Sequence, residues 1–170
     1  IELHGMSKER EDGIGLDDGQ DPAEIDLGES DDEQDGSAAP KDDAPIHSLC
    51  LRPAYGLRSF PTRITMTRAF GIPGERWATA PWLKLPDGAP DPRIQVSILP
   101  TRVMDLVWRD REGTPHRGDP IVADLNWSLA NLPAGTLLQA GTAVLRVSDH
   151  FNEACAKWKV RYGADARAFI

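Results

Sequence analysis

Apolar and polar positions alternate in several stretches of the chain and predict strands there. Residues 46–52 read as a strand that stops at Pro53. Residues 62–67 place Ile64 and Met66 on one face and Arg63, Thr65 and Thr67 on the other, the pattern of a half-buried strand. Residues 93–99 alternate through Ile94, Val96 and Ile98, and residues 121–127 through Ile121, Ala123, Leu125 and Trp127. Residues 136–139 and 142–147 form the arms of a hairpin about Ala140-Gly141. The spacing turns helical twice. Pro100 suits a first helical position, and Val103, Leu106 and Val107 predict a helix ending near Arg109. Phe151, Cys155, Trp158 and Tyr162, spaced 4-3-4, predict one face of a second helix, with Asn152 as its N-cap and Gly163 as its stop. Residues 164–170 extend it by a turn or a short helix. The sum is a mainly β fold with minor helix.

Between these elements lie loops. Residues 71–77 contain Gly71 and Gly74, and such a loop can approach a ligand closely. Residues 78–91 form a long, proline-rich loop whose Trp77 and Trp82 region is expected to cover the core. His116 sits in a polar loop and is expected to be solvated. Asn131 sits in the turn at 128–135, where Asn most often caps its own backbone.

Charge divides the chain. Residues 1–44 hold 16 acids and 3 bases, a net of −13; residues 45–170 hold the other 11 acids and 16 bases, a net of +5. Residues 1–44 have too little apolar area to offset ordering entropy and are expected to be a disordered acidic leader, acting as an interaction or docking tail. Residues 45–170 are expected to form one domain. Its modest positive charge suits a phosphorylated small ligand and not nucleic acid. The Asp-rich run at 17–21 lacks the ligand spacing of a calcium loop. No signal-peptide pattern opens the chain and no apolar run approaches about 20 residues, so a cytoplasmic protein away from membranes, with Cys50 and Cys155 as free thiols, is expected.

Cys155 carries two readings. A thiol in the first helical turn, near Lys157 and Lys159, is drawn toward thiolate, which ligates soft metals and attacks electrophilic sulfur. A Cys on an apolar helix face also packs without reacting.

An ordered series of motifs bears on that choice. It comprises Gly71-Ile72-Pro73-Gly74-Glu75-Arg76-Trp77, then Gly118-Asp119, then Asn131-Leu132-Pro133-Ala134-Gly135, then Gly141-Thr142-Ala143-Val144, then Cys155-Ala156-Lys157-Trp158 and Arg161-Tyr162-Gly163. From residue 45 to 170 this series resembles the MOSC family, named for the C-terminal domain of molybdenum-cofactor sulfurases. The resemblance implies a bent β-barrel and binding of the molybdenum cofactor (molybdopterin). It makes Cys155 the molybdenum ligand or a persulfide carrier. Lys157 and Arg161 would neutralise cofactor charge, and Arg76 and Asn131 would help hold the pterin. It further implies a molybdenum-dependent oxidoreductase acting on N-hydroxylated compounds, or a sulfur transferase. An external electron or sulfur donor protein is then needed, since the chain shows no flavin, haem or iron–sulfur signature and has no room for a pyridoxal-phosphate domain. The alternative is a non-catalytic cofactor- or sulfur-carrying module docked through its acidic tail. Two departures stand out. Family members continue beyond the point matched by Ile170, so either the sequence is a fragment whose closing strands lie beyond it or the barrel closes differently. Many relatives carry His, Gly or Pro before the thiol, where this chain has Asn152-Glu153-Ala154.

Overall fold

The computed structural model describes residues 2–5, 23–26, 39–150 and 154–169. Eight strands form among the described residues: β1 (Glu2–Gly5), β2 (Ala23–Asp26), β3 (Ala44–Leu49), β4 (Arg63–Met66), β5 (Ile98–Pro100), β6 (Ile121–Ala123), β7 (Leu137–Ala140) and β8 (Ala143–Arg146). Three short α-helices are described: α1 (Thr101–Val107) between β5 and β6, and α2 (Ala156–Tyr162) and α3 (Ala164–Phe169) after β8. The protein is mainly β, as the alternation predicts. Six strands form one sheet in the order β5-β6-β3-β1-β7-β8, and β2 pairs with β4 in a second sheet. All pairings are antiparallel except β5 with β6. Among the described residues the larger sheet is open, with β5 and β8 at its edges.

The acidic leader is not wholly separate from the domain. β1 lies between β3 and β7, with Leu3 opposite both Ala44 and Ala140. β2 lies beside β4, with Ile25 opposite Ile64. Ile25 is fully buried in the main core, so this one apolar residue among acids has a place to pack. The acids beside it are used as well. Arg63 pairs with Glu24 (2.6 Å) and Asp26 (2.7 Å). Thr142 binds the backbone of Glu24, accepting its N–H at 2.8 Å and donating to its carbonyl. The β7–β8 turn comes so close to β2 that a Cβ on Gly141 would sit 2.6 Å from the Glu24 carbonyl oxygen, and Gly141 also has φ +60°. The other stretches of the expected disordered leader, apart from residues 39–44, lie outside the described residues.

β6 is buried on both faces. Ile121 and Ala123 face the main core with Ile46, Leu49, Ile64 and Leu138. Val122 points the other way, into a second cluster with Leu99, Met104, Val107, Ala154 and Trp158. That second cluster seats α2 against the sheet and so places Cys155. Several expectations are corrected. Residues 92–94 form a 3-10 turn instead of a strand, because Asp91 Oδ1 accepts the Arg93 N–H behind Pro92. The strand expected over 121–127 ends at Ala123. In α1 the buried face is Thr101, Met104 and Val107, while Leu106 is about half exposed. Among the described residues no helix is long and apolar enough to cross a membrane.

Candidate functional site

The end of β3 runs through Cys50 into Arg52, and the chain then turns through residues 53–58. Paired backbone hydrogen bonds between Leu51 and Ser59 close that turn. Opposite it, residues 115–120 lead into β6, with the Cys50 N–H donating to the Pro120 carbonyl at 3.0 Å. Two chain segments rich in arginine are thus held side by side. The physical link between them is Gly118. Its φ is +92°, and a Cβ there would lie 2.7 Å from Arg52 Cδ and 3.3 Å from Arg58 Nε. Only glycine admits both guanidinium side chains at this spot.

Each arginine is held differently. Arg52 makes a two-pronged ion pair with Glu75, at 3.2 Å from Nε and 3.0 Å from Nη2, and its backbone N–H donates to the same carboxylate. Glu75 is buried and also accepts the Arg76 N–H. A buried carboxylate with this many donors is satisfied, and removing its partner would strand the charge. Arg117 pairs with Asp119 at 2.9 Å, and its guanidinium lies 3.5 Å from the Trp158 ring centroid. Burial pulls Arg117 below the ordinary guanidinium value, against the opposing influence of Asp119. Arg58 has no ion-pair partner among the described residues. Two buried donors, Arg58 Nε and Arg117 Nη1, and one buried acceptor, Asp119 Oδ2, have no hydrogen-bond partner there either. Three guanidinium groups against the two carboxylates of Glu75 and Asp119 leave the cluster one positive charge in excess. Unsatisfied buried donors of this kind call for an explanation, and an anion is one.

His116 closes the cluster from behind. Its ring meets Phe60 edge-on at 5.0 Å and Trp108 at 5.1 Å, and its Nδ1 accepts the Gly118 N–H at 3.0 Å. The expected solvated loop histidine is therefore buried, and burial lowers its pKa. Neutral His116 holds Gly118, and Gly118 makes room for Arg52 and Arg58.

Cys155 stands at the N-cap of α2, exposed, with no capping hydrogen bond from its side chain. Cys155 and Arg117 interact electrostatically. α2 begins one residue after Cys155, so the thiol precedes the first turn instead of lying in it, and Asn152 and Phe151 lie outside the described residues. Trp158 and Tyr162 do share a packed face, with ring centroids 5.1 Å apart, but Cys155 does not join them. Packing is thus not what this sulfur does. Cys50 takes that part: it is fully buried below the arginines, and burial pushes its thiol up to about 11.

The other expected site residues fall in different places. Lys157 reaches across to the 53–58 turn, its ammonium 4.6 Å from the Tyr55 ring centroid. Arg161 is partly buried and acts on neighbouring Tyr162, whose hydroxyl donates to the Pro115 carbonyl at 3.0 Å. Arg76 adjoins the cluster through its backbone only, and its guanidinium has no ion-pair partner among the described residues. Asn131 serves the local turn: its Nδ2 donates to the carbonyls of Asn126 (2.9 Å) and Lys41 (3.0 Å). The sequence reading missed Arg52, Arg58, Arg117 and Asp119. Their signal was present as arginines at turn residues, Arg52-Pro53, Gly56-Leu57-Arg58 and Arg117-Gly118-Asp119. Nothing local to those turns says that they meet.

Comparison with known proteins returned no matching family model, no matching curated protein and no matching solved structure.

Proposed function

We propose that this chain is a molybdenum-cofactor protein of MOSC type, with the family's bent β-barrel, in which Cys155 is the protein's sulfur ligand to molybdenum or a persulfide carrier. The observation that supports this most is a conjunction. An exposed thiol without a capping bond starts α2 and acts electrostatically on Arg117, and both Arg117 and Arg58 carry donors that lack hydrogen-bond partners among the described residues. The donor set fits the group. Among the described residues no three His, Cys, Asp or Glu side chains gather to cage a bare ion. A lone thiolate suits a metal that arrives with most of its ligands already in place, and cationic donors suit the phosphate of such a cofactor.

Bound molybdenum would supply two-electron redox chemistry, suited to reducing N-hydroxylated compounds with electrons from an external donor. The chain's own residues do the holding. Arg117 is fixed by Asp119 below and Trp158 against its face, which leaves Nη1 to bind an anion. Arg58 Nε is the second donor, and Arg52 is already engaged by Glu75. Lys157 and Arg161 follow the thiol on α2, two and six residues along. In this reading Asn131 stiffens the turn at 128–135 and does not touch the pterin. Arg76 leaves the anion to Arg58 and Arg117.

The test is metal and pterin content of protein purified from cofactor-competent cells. Wild type is expected to carry molybdenum and pterin together, Cys155→Ser to lose molybdenum, and Arg117→Met to lower both while keeping the Trp158 contact filled. Stoichiometric molybdenum in Cys155→Ser would refute Cys155 as the ligand. Absence of pterin from the wild type would refute the cofactor reading itself.

A further inference from the structure

His116 is a buried titratable group that the proposed chemistry does not use. Three chain segments meet at its ring. Phe60 comes from the connection between β3 and β4 and Trp108 from the end of α1, and both meet the imidazole edge-on. The third segment is its own, which runs through Arg117, Gly118 and Asp119 into β6. That segment is pinned at its two ends, where the Tyr162 hydroxyl donates to the Pro115 carbonyl and the Cys50 N–H to the Pro120 carbonyl. Between the ends, the Gly118 N–H donates to His116 Nδ1 at 3.0 Å. Nδ1 accepts only while it carries no proton, so this closed arrangement requires the neutral ring.

Protonation opposes it in two ways. Nδ1 becomes a donor facing the Gly118 N–H, and a new cation enters a site already acted on by Arg58 of the turn, Arg111 after α1 and Arg117 of the same segment, with Asp119 as the opposing carboxylate. The other groups reaching the segment offer little relief. Arg52 is paired with Glu75, Arg111 with Asp105, and Tyr162 stays neutral in acid. Beneath lies Cys50, whose fully buried thiol is acted on by Arg52, Arg58, Glu75 and Asp119. No residue from 115 to 119 belongs to the main core built on Ile25, Leu49, Ile64 and Ile121, so that core keeps its packing when they move.

We propose that His116 is a pH-sensitive latch: while neutral it holds residues 115–120 closed against the β3–β4 connection, and once protonated it releases them within an otherwise folded domain, freeing Arg58 and Arg117 and uncovering the Cys50 thiol. A local opening of this kind needs only one small segment to leave its place. The latch needs no cofactor and does not depend on Cys155 as a ligand.

The test uses the full chain with Cys155→Ser, which leaves Cys50 as the one thiol. Its exchange with dithiodipyridine is followed from about pH 8 to 5, each rate normalised to glutathione at the same pH. The open form takes up a proton at the ordinary histidine value of 6.5, and the closed form resists it. The normalised rate is therefore expected to stay level above that pH and to climb by up to about tenfold per pH unit below it. Near-UV circular dichroism is expected to stay unchanged, and the rate to be insensitive to urea up to about 1 M. His116→Asn, which keeps an acceptor and does not titrate, is expected to give a level profile. Arg111→Gln at low salt, by removing a cation near the ring, is expected to move the rise to higher pH. A level wild-type profile, a rise that persists in His116→Asn, or a rate that grows steeply with urea each overturns the proposal, the last because it marks global unfolding. If His116→Asn does not fold, Arg111→Gln decides, and a rise that does not move to higher pH overturns it.

Discussion

Ile25→Ala is the sharpest test of how the acidic leader joins the domain. Ile25 is fully buried and faces Ile64 across the β2–β4 pair, inside the same core as Leu138 and Ala143. Truncating a buried Ile to Ala removes its transfer energy and leaves a cavity, costing about 2–5 kcal/mol. β2 is fastened on both sides, by Arg63 and by Thr142, so it has little freedom to collapse into the gap. We therefore expect a loss near the middle of that range, about 3 kcal/mol. With a urea slope of about 2 kcal/mol/M, the unfolding midpoint falls by about 1.5 M. Ile64→Ala is expected to cost a similar amount. The double variant is expected to cost less than the two losses combined, since neighbours sharing one cavity are not additive. If residues 23–26 were a detached tail, Ile25→Ala would behave as a surface change, within about 0.5 kcal/mol. A shift that small, with Ile64→Ala still strongly destabilised, would refute the reasoning.

Two further predictions concern titration. Cys50 is raised by burial from 9.0 to about 11, so between those values the unfolded thiol ionises while the folded one stays protonated. The folded state then binds more protons, and stability falls as pH rises through that window, by up to about 3 kcal/mol; urea midpoints of wild type and Cys50→Ala from pH 8.5 to 11 check this. His116 is lowered by burial from 6.5. As pH drops below 6.5 the unfolded histidine takes a proton that the folded one resists, so stability falls with acid until the folded value is passed and then levels. His116→Asn, which keeps an acceptor for the Gly118 N–H, is expected to flatten that part of the wild-type profile. Equal slopes in the two proteins between pH 7 and 5 would count against it.

Periodicity in the sequence was enough to place the elements that depend on local pattern. The alternation at Ile64 and Met66 corresponds to β4, the hairpin around Gly141 to β7 and β8, and the spacing of Trp158 and Tyr162 to the packed side of α2. Cys155 was also singled out from the sequence, and its side chain stands exposed at the start of α2. Long-range packing decided the rest. Ile25 looks like a stray apolar residue among acids until β4 supplies its partner and the β7–β8 turn supplies a carbonyl-sized gap at Gly141. Residues 92–94 alternate as a strand would, but a side chain from Asp91 takes the backbone N–H that a sheet would need. The arginines of the site lie far apart along the chain, from Arg52 to Arg117, and each alone reads as a surface charge. A charge's environment is set by what folds against it, and neither burial nor an unmet hydrogen bond has any period in the sequence. Local pattern therefore fixed where strands and helices form. Only the fold decided which charges share one space and which sulfur of the two faces water.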